Sequence, residues 1–483
     1  MPSPERFETV IGLEIHVQLQ TTTKLFCGCT NAFGGNPNSR TCPVCVGMPG
    51  TLPVLNQRAV EFALRAALAL GCEINPRSRF ARKNYFYPDL PKGYQISQYD
   101  QPLAGRGVFS FNCGQRRTET RLLRLHLEED AGKSIHSTMP RSGTNSYIDL
   151  NRCGVPLIEI VSEPDLRSPA EASAFLAALR NTLLYVEVTD ANMDEGSLRC
   201  DANISLRRRG ENNLNPKTEL KNLNSFRFLR QALRFEVERQ TALLKAGKPL
   251  TQSTRLFDEH TGKTVSMRAK EEAHDYRYFP EPDLVPVVLD EATVATAAND
   301  IPELPLARLD RFIEDLGVLY EDAAVLVEER ARADYFEALI DAGTSISEAN
   351  NWVRNEIGRW LNEHSCDFVA FPVRAEVLAS LVQAVRRGAI PVGVAGKVMD
   401  RMAETGRSVK TILDEEGLQQ ISGIDELAPF VDEVIEAHPE EVVAFRDGRE
   451  QVFGFLMGEV MRATRGKANP DTARKLLRAR LEQ

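Results

Sequence analysis

Several stretches of this chain alternate apolar and polar residues with a period of two, and no other feature constrains the fold as tightly. From Val10 to Leu19, Ile11, Leu13, Ile15 and Val17 fall on one side, and Gly12, Glu14, His16 and Gln18 on the other. Within Arg121 to Ser134 (RLLRLHLEEDAGKS), Leu123, Leu125 and Leu127 oppose Arg124, His126 and Glu128. Arg199, Asp201, Asn203 and Ser205 oppose Cys200, Ala202, Ile204 and Leu206, and Glu159 stands among apolar neighbours in Leu157 to Val161. This is the periodicity of half-buried strands. One such strand alone reads as a solvated surface strand. Repetition of the design at distant positions points to one sheet with a common core on one side and a common charged surface on the other.

On that surface Glu14, His16, Glu128, Glu159, Asp201 and Asn203 are expected to gather. Carboxylates brought together repel, and partial burial is costly for each ion unless it is compensated. A hard divalent cation is the usual compensation, and this oxygen-rich set suits Mg²⁺ rather than Zn²⁺. Mg²⁺ with flanking Lys and Arg is the equipment of phosphoryl transfer. Gly132-Lys133-Ser134 copies the end of a P-loop, but position 127 is Leu where that motif needs Gly, and the preceding segment is acidic. A Walker-type fold is therefore excluded.

The 483 residues allow roughly two to four domains, and the hydrophobic and charged fractions, 42% and 26%, are those of an ordinary soluble protein. No apolar run approaches membrane-spanning length, and MPSPERFETV lacks an apolar signal core, so the expected location is the cytoplasm. The formal charge of −9 gives no general attraction to nucleic acid, so RNA contact must come from local basic patches. Nine Cys do not make a disulfide scaffold in a chain this long. Four of them, Cys27-x-Cys29 and Cys42-x-x-Cys45, have the spacing of a structural Zn²⁺ knuckle; the competing reading is four free thiols in a small loop domain.

Along the chain, Asn56 caps a helix that ends at Gly71, Ser168 caps one with Pro169 in first place, and Ser225 starts a long one to Gly247 that buries Phe228, Leu229, Leu233 and Val237. Arg82 to Pro102 reads as a loop in which Tyr85, Phe86, Tyr87, Tyr94 and Tyr99 lie among Lys83 and Lys92. A similar segment, DYRYFPEPDL, recurs at Asp275 to Leu284, and the two are expected to wall one cleft. From about residue 303 helical patterns replace strand patterns. The fold class is α+β: a mainly antiparallel sheet domain with flanking helices (1–295), then a helical domain (296–405) and a tail domain (406–483). The last segment, Gly458 to Gln483, holds seven Lys or Arg against three acids. Asn469 caps its helix, and Arg465, Lys467, Arg474, Lys475 and Arg478 are the candidates for an RNA backbone contact by shape and phosphate. A merely solvated terminal helix is the competing reading.

Over essentially its whole length the chain resembles the B subunits of the amidotransferases that act on Glu-tRNA(Gln) and Asp-tRNA(Asn). The resemblance rests on FETVIGLEIHVQL, RKNYFYPDLPKGYQISQ, HLEEDAGKS, DLNRCGVPLIEIVSEPD, EGSLRCDANIS, ELKNLNSF, DYRYFPEPD and the tail GKANP. It implies an enzyme subunit that uses ATP and Mg²⁺ to phosphorylate the side-chain carboxylate of the misacylated amino acid. Ammonia from an amidase (A) subunit then displaces phosphate, and a small C subunit tethers the two. It also implies that Glu14, His16, Glu128 and Glu159 match positions that hold metal or ATP, with Glu129, Asp201 and Asn203 as further candidates. Lys83, Lys133 and Arg199 are our own assignments for phosphate contacts. Some members of the family lack the Cys pairs, so Zn²⁺ rests on these four Cys alone.

The chemistry agrees with the residue pattern. A carboxylate is a poor acceptor of ammonia because oxide is a poor leaving group, and acyl phosphate formation removes that obstacle. The sequence shows no Ser/Lys amidase loop and no glutaminase Cys with partners, so ammonia must come from a partner chain. Two other readings remain at this point. A non-catalytic tRNA-binding scaffold would not need the carboxylate surface, and a metal-dependent hydrolase would release phosphate without tRNA.

Overall fold

The computed structural model describes residues 7–135, 145–267, 276–416, 421 and 423–482. Asp275, the first residue of the second aromatic segment, and Gln483, the last of the tail, lie outside the described residues. The chain divides into two compact units, Met1–Arg308 and Leu309–Gln483.

The first unit is built on a nine-stranded sheet of β1 (Phe7–Gln18), β2 (Cys72–Ile74), β6 (Ala104–Cys113), β7 (Arg116–Glu129), β10 (Pro156–Ser162), β11 (Leu198–Arg208), β12 (Thr218–Lys221), β13 (Ser253–Asp258) and β14 (Lys263–Ser266). Their order is β14-β13-β12-β11-β1-β10-β7-β6-β2. All neighbours are antiparallel except β12 and β13, which run parallel. β4 (Ala81–Asn84), β5 (Tyr94–Ser97) and β15 (Phe279–Pro280) form a small second sheet, while β3 (Arg77–Ser78) pairs β16 (Val287–Val288) and β8 (Lys133–Ile135) pairs β9 (Tyr147–Asp149). The segment 82–102 is thus a hairpin rather than a plain loop. Pro88 and Pro91 forbid strand between its arms, and the arms find each other across them. Gly132-Lys133-Ser134 leads into β8 and not into a helix, as the exclusion of a P-loop requires.

One face of the large sheet is covered. Ile11, Leu13, Ile15 and Val17 are 0–1% exposed and share a core with α1 (Gln57–Ala69), α2 (Pro169–Tyr185) and α3 (Phe226–Lys245). α4 (Glu291–Asn299) adds Val294 and Ala297 to its margin. Asn56, Ser168 and Ser225 cap α1, α2 and α3 through their side chains. α3 departs from its apolar expectation. Leu229 and Leu233 are buried, but so is Glu236, which is fully buried against Arg239, Arg255 and Thr264. A charge tolerated at that depth is one that is paired and hydrogen-bonded on several sides.

Regular structure in the second unit is helical among its described residues. The pattern at 346–363 is interrupted by a π-helical stretch, Trp352–Ile357, between Ile346–Asn351 and Gly358–His364. Toward its end Leu427, Val431, Leu456, Val460, Leu477 and Leu481 form one apolar cluster. No helix among the described residues is long and apolar enough to cross a membrane.

Candidate active site

The uncovered face of the large sheet carries the charges. Across adjacent strands His126 lies opposite Glu159, Glu159 opposite His16, and His16 opposite Arg199. Glu14 lies opposite Asp201. Period two returns Glu128 to the same face as His126. The side chains converge on the His16 imidazole, whose Nε2 lies 3.4 Å from Glu159, 3.6 Å from Glu14 and 3.9 Å from Glu128. His126 Nε2 lies 3.5 Å from Glu128 and 3.7 Å from Glu159. Its Nδ1 accepts from Arg124 Nε at 3.4 Å, which leaves Nε2–H toward the carboxylates. Ser97 Oγ donates to Glu128 at 3.0 Å. Side-chain exposure is 4% for Glu128 and 8% for Glu159 but 34% for Glu14, so solvent reaches the group from the Glu14 side.

Electrostatics divide the three glutamates. Burial, then the charge of Glu159, pushes the Glu14 carboxyl above its ordinary range, with Asp201 adding to the rise. For Glu128 and Glu159 burial also pushes upward, but it is outweighed. His126 and Lys83 hold Glu128 down, and His126, His16 and Arg124 hold Glu159 well below the carboxylate range. His16 is itself raised, because Glu159, Glu128 and Glu14 together overcome its burial. Three carboxylates gathered with two imidazoles fit a divalent cation, and two triads, Glu14–His16–Glu159 and His126–Glu128–Glu159, each bring their donor atoms within 4.8 Å of one another. Nearby on the same face, Asn203 Oδ1 is buried without a hydrogen-bond partner. An orphaned acceptor at that place fits a ligand that supplies a donor.

The small sheet stands beside this group. The two aromatic segments do meet: Phe279 of β15 pairs Arg82 of β4, Tyr85 contacts Tyr276, and Tyr99 stacks on Tyr278 at 4.1 Å. Lys83 Nζ lies 5.0 Å from the Tyr276 ring. Burial acts to lower the pKa of Lys83, but Glu128, the tyrosines and Glu159 raise it, so it stays charged. Arg82 holds the second segment in place. Its guanidinium grips the buried Glu281 carboxylate at 2.7 and 2.8 Å and lies over Tyr94. Arg82→Ala is expected to cost about 3–5 kcal/mol locally, because it strands a buried carboxylate. Hydrogen exchange at 276–284 checks this, with faster exchange there and little change in β1.

Arg199 and Asp201 stay on the charged face, tied to partners of their own, while Glu129 and Lys133 lie off it. Glu129 is turned to the other side of β7, where it pairs with Lys92 and accepts from the Ile96 N–H at 2.9 Å. There it lines a pocket of about 220 Å³ with Cys27, Cys45 and Gly154. Gly47 closes that pocket with φ +69, and a Cβ on it would lie 2.1 Å from the Lys92 stem. Lys133 is exposed on β8, opposite Asp149. Arg199 pairs with Asp130 at 2.6 Å, and Asp201 pairs with Lys221. The candidate set omitted His126, Asp130 and Lys221. His126 carried a usable signal, since it shares the polar side of its strand with Glu128. Asp130 lies past the strand end, where periodicity says nothing about contacts with Gln18, Arg152 and Arg199.

The four Cys of the loop meet, with their Sγ atoms all within 4.8 Å of one another. Cys45 is drawn down to about 4, first by a hydrogen bond from Cys27, with the Cys42 N–H and the Lys24 ammonium helping. Lys24 is fully buried, bonds Arg40 O at 2.8 Å and lies 3.8 Å from Cys45 Sγ. The same hydrogen bond and burial push the Cys27 thiol up, and burial pushes Cys29 up, so the buried ammonium faces one thiolate, at Cys45. Four sulfurs at this spacing fit a tetrahedral Zn²⁺.

In the last helix, Pro470–Leu481, Asn469 Oδ1 accepts from the Asp471 and Thr472 N–H groups, and Ala473, Leu477 and Leu481 are buried. Arg474, Lys475 and Arg478 lie on its outer side, and Arg478 pairs with Glu450 and Glu482. Arg465 is exposed with φ +54 in the joint before it, and Lys467 is half-buried.

Residues 9–295 match the family model of the GatB/GatE catalytic domain, and residues 334–481 match that of the GatB domain. The B subunit of the aspartyl/glutamyl-tRNA(Asn/Gln) amidotransferase of Persephonella marina is 49% identical over 477 residues, with 99% of this chain and 100% of that protein covered. The protein of the same name from Geobacter sulfurreducens is 49% identical with 99% of each chain covered, and that from Nitratidesulfovibrio vulgaris is 50% identical with 98% and 99% covered.

Proposed function

The chain belongs to the GatB/GatE family, and from that membership we propose that it is the carboxylate-activating subunit of a tRNA-dependent amidotransferase. Its reaction is ATP-dependent phosphorylation of the side-chain carboxylate of Glu on tRNA(Gln), or Asp on tRNA(Asn), followed by amidation with ammonia from an amidase partner. The observation that supports this reading best is the convergence of Glu14, Glu128 and Glu159 around His16 on the uncovered sheet face. Glu14, His16, Glu128 and Glu159 are the proposed holders of Mg²⁺. Bound there, the ion neutralises phosphate charge and polarises the phosphoryl group that is transferred.

The chain's own groups supply the rest. His126 holds Glu128 and Glu159 ionised, and Arg124 orients His126. Lys83, buried and charged between the tyrosines and Glu128, is placed to take an acidic group of the substrate. Asp201 and Lys221 extend the charged row away from the cluster. The four Cys are proposed to hold structural Zn²⁺, with no open coordination position for catalysis. The relatives are each named as one subunit of an amidotransferase, which supports further subunits in the assembly, and for these we propose an amidase and a small tether. The substrate class assigns the work to the cytoplasm, where charged tRNA is used.

The test uses the chain co-purified with its amidase and tether, tRNA(Gln) charged with labelled Glu, glutamine, ATP and Mg²⁺. Labelled Gln on the tRNA together with ADP is expected, and both disappear without ATP or with a chelator of divalent ions. Phosphate release in the absence of tRNA would favour a hydrolase, and conversion that ignores ATP would remove the reading. For the tail, Arg474→Glu with Lys475→Glu is expected to weaken tRNA binding. The slope of log affinity against log salt should fall by about one unit for each phosphate no longer neutralised. An unchanged slope would leave the helix merely solvated.

A further inference from the structure

The side of α3 turned away from the sheet carries a row of arginines. Leu229, Ala232 and Leu233 are buried, while Arg227, Arg230 and Arg234 are exposed. Steps of three and four residues put the three on one side of the helix. Arg227 rests over the Phe228 ring at 5.2 Å, but among the described residues none of the three makes an ion pair. Further along the same helix Arg239 does, with the buried Glu236. The row works against the helix that bears it. Arg230 and Arg234 are like charges at i and i+4, which repel. The first turn holds no acid, so Arg227 and Arg230 face the positive end of the macrodipole uncompensated. In a chain of formal charge −9, cations kept where they weaken their own helix point to an anion that they meet.

The place of the row says which anion. α3 is the crossover between the parallel strands β12 and β13, so it runs back along the sheet from the end where β12 stops. That end belongs to the cluster: Lys221, the last residue of β12, pairs with Asp201, and Asp201 lies opposite Glu14. We infer that Arg227, Arg230 and Arg234 hold phosphates of the acceptor arm of the charged tRNA. This rests on the tRNA-dependent reading given above. Three features favour RNA. The amino acid is esterified to the 3′ end, so with its carboxylate at the cluster the acceptor arm has to leave along the sheet. One flank is taken by Ser97, Lys83 and the tyrosines, whereas Glu14, toward β11 and β12, is the solvent-reached member. From Arg227 to Arg234 is about 10 Å of helix, and a duplex strand presents a phosphate about every 3.4 Å of axis, so the row faces about three of them. The face also lacks an apolar anchor. None of the exposed large hydrophobic side chains lies on α3, while protein partners meet at cores rich in aromatics and poor in charge. Guanidinium forks suit phosphate oxygens and read no base, so the contact serves tRNA(Gln) and tRNA(Asn) alike.

The experiment uses the intact complex and two probes: Glu-tRNA(Gln), and an RNA hairpin of its acceptor arm alone, also charged with Glu. With Arg227→Gln, Arg230→Gln and Arg234→Gln together, the Kd for both is expected to rise about tenfold, and the slope of log affinity against log salt to fall by about two to three units. The Kd for Mg²⁺-ATP and the melting temperature should hold, because Gln keeps the helix and relieves its repulsion. Arg474→Glu with Lys475→Glu should weaken the full tRNA and leave the hairpin unchanged, which separates this surface from the tail. A hairpin Kd and slope unchanged in the triple variant would leave the arginines merely solvated and overturn the inference, with the kinase reading intact. A triple variant that sheds a subunit while binding the hairpin as before would make the face a protein interface and overturn it equally. If the wild-type complex formed ADP at one rate with and without charged tRNA, the reading beneath would fall, and this inference with it.

Discussion

Glu128→Gln is expected to lower the rate of labelled Gln formation on tRNA(Gln) by about 10²–10³-fold, the scale of losing one preorganised charge at a phosphoryl-transfer site. The substitution keeps the shape and the hydrogen bond from Ser97, so the strand is not disturbed. What it removes is the negative charge that His126, His16 and Lys83 all face. Glu128 is also one of the proposed Mg²⁺ ligands, so the ion loses a carboxylate oxygen. Metal affinity should therefore fall by more than the about 10- to 100-fold that follows when groups merely supporting a metal site are altered. Tight tRNA binding should be retained, since the basic helix is untouched. Two measurements separate the readings: the ADP and labelled Gln produced, and the Mg²⁺ concentration for half-maximal rate. Equal conversion by both proteins would move the phosphoryl site off β7. A complex that keeps tRNA binding but never forms ADP, wild type included, would favour the scaffold.

The second large effect is expected in the Cys loop. Cys42→Ser should take bound Zn²⁺ from about one per chain to near zero, since a four-thiolate site closes only with four ligands. The loop is tied to its surroundings by the Leu25 N–H to Gly154 O at 2.9 Å and the Asn56 N–H to Leu25 O at 2.8 Å. Asn56 also caps α1, so loosening the loop loosens that helix start. Phe26, which packs edge-on against Phe80, would be exposed as well. A loss of several kcal/mol is expected, in the range of removing a structural metal. Elemental analysis and calorimetry check it, with Cys366→Ser as a control that changes neither. Full stability without metal would mean that the sulfurs are only neighbours.

Period two made much of this site legible. The strand β1 could be assigned residue by residue because Ile11 to Val17 and Glu14 to His16 separate without exception, and the same argument found β7 and β11. It also carried the fold class, since a sheet with one charged face needs helices on the other. Glu129 shows what the resemblance could not convey, the face on which a residue lies. The resemblance offers it as a further candidate beside Glu128, yet neighbours in a strand point to opposite faces, and Glu129 reaches Lys92. The pairing of β12 with β13 in parallel was not visible, because it joins segments through α3 and depends on which faces are already buried. The hairpin of β4 and β5 was hidden by its prolines. Lys221 is brought to Asp201 by the pairing of β11 with β12, a register the sequence does not announce.

The small sheet beside the cluster also sets a timetable for synthesis. Arg82 and Glu281, whose ion pair joins it, are 199 positions apart in the chain. At a ribosome's roughly 5–20 residues per second, β4 waits about 10–40 s for its partner to be made. By then Glu14, His16, Glu128 and Glu159 have long emerged, and the carboxylates can meet cellular cations before the tyrosines arrive. The nascent chain thus displays its charged cluster for a time without the tyrosines beside it, and once β15 has docked the Glu14 side remains the route by which solvent reaches the cluster.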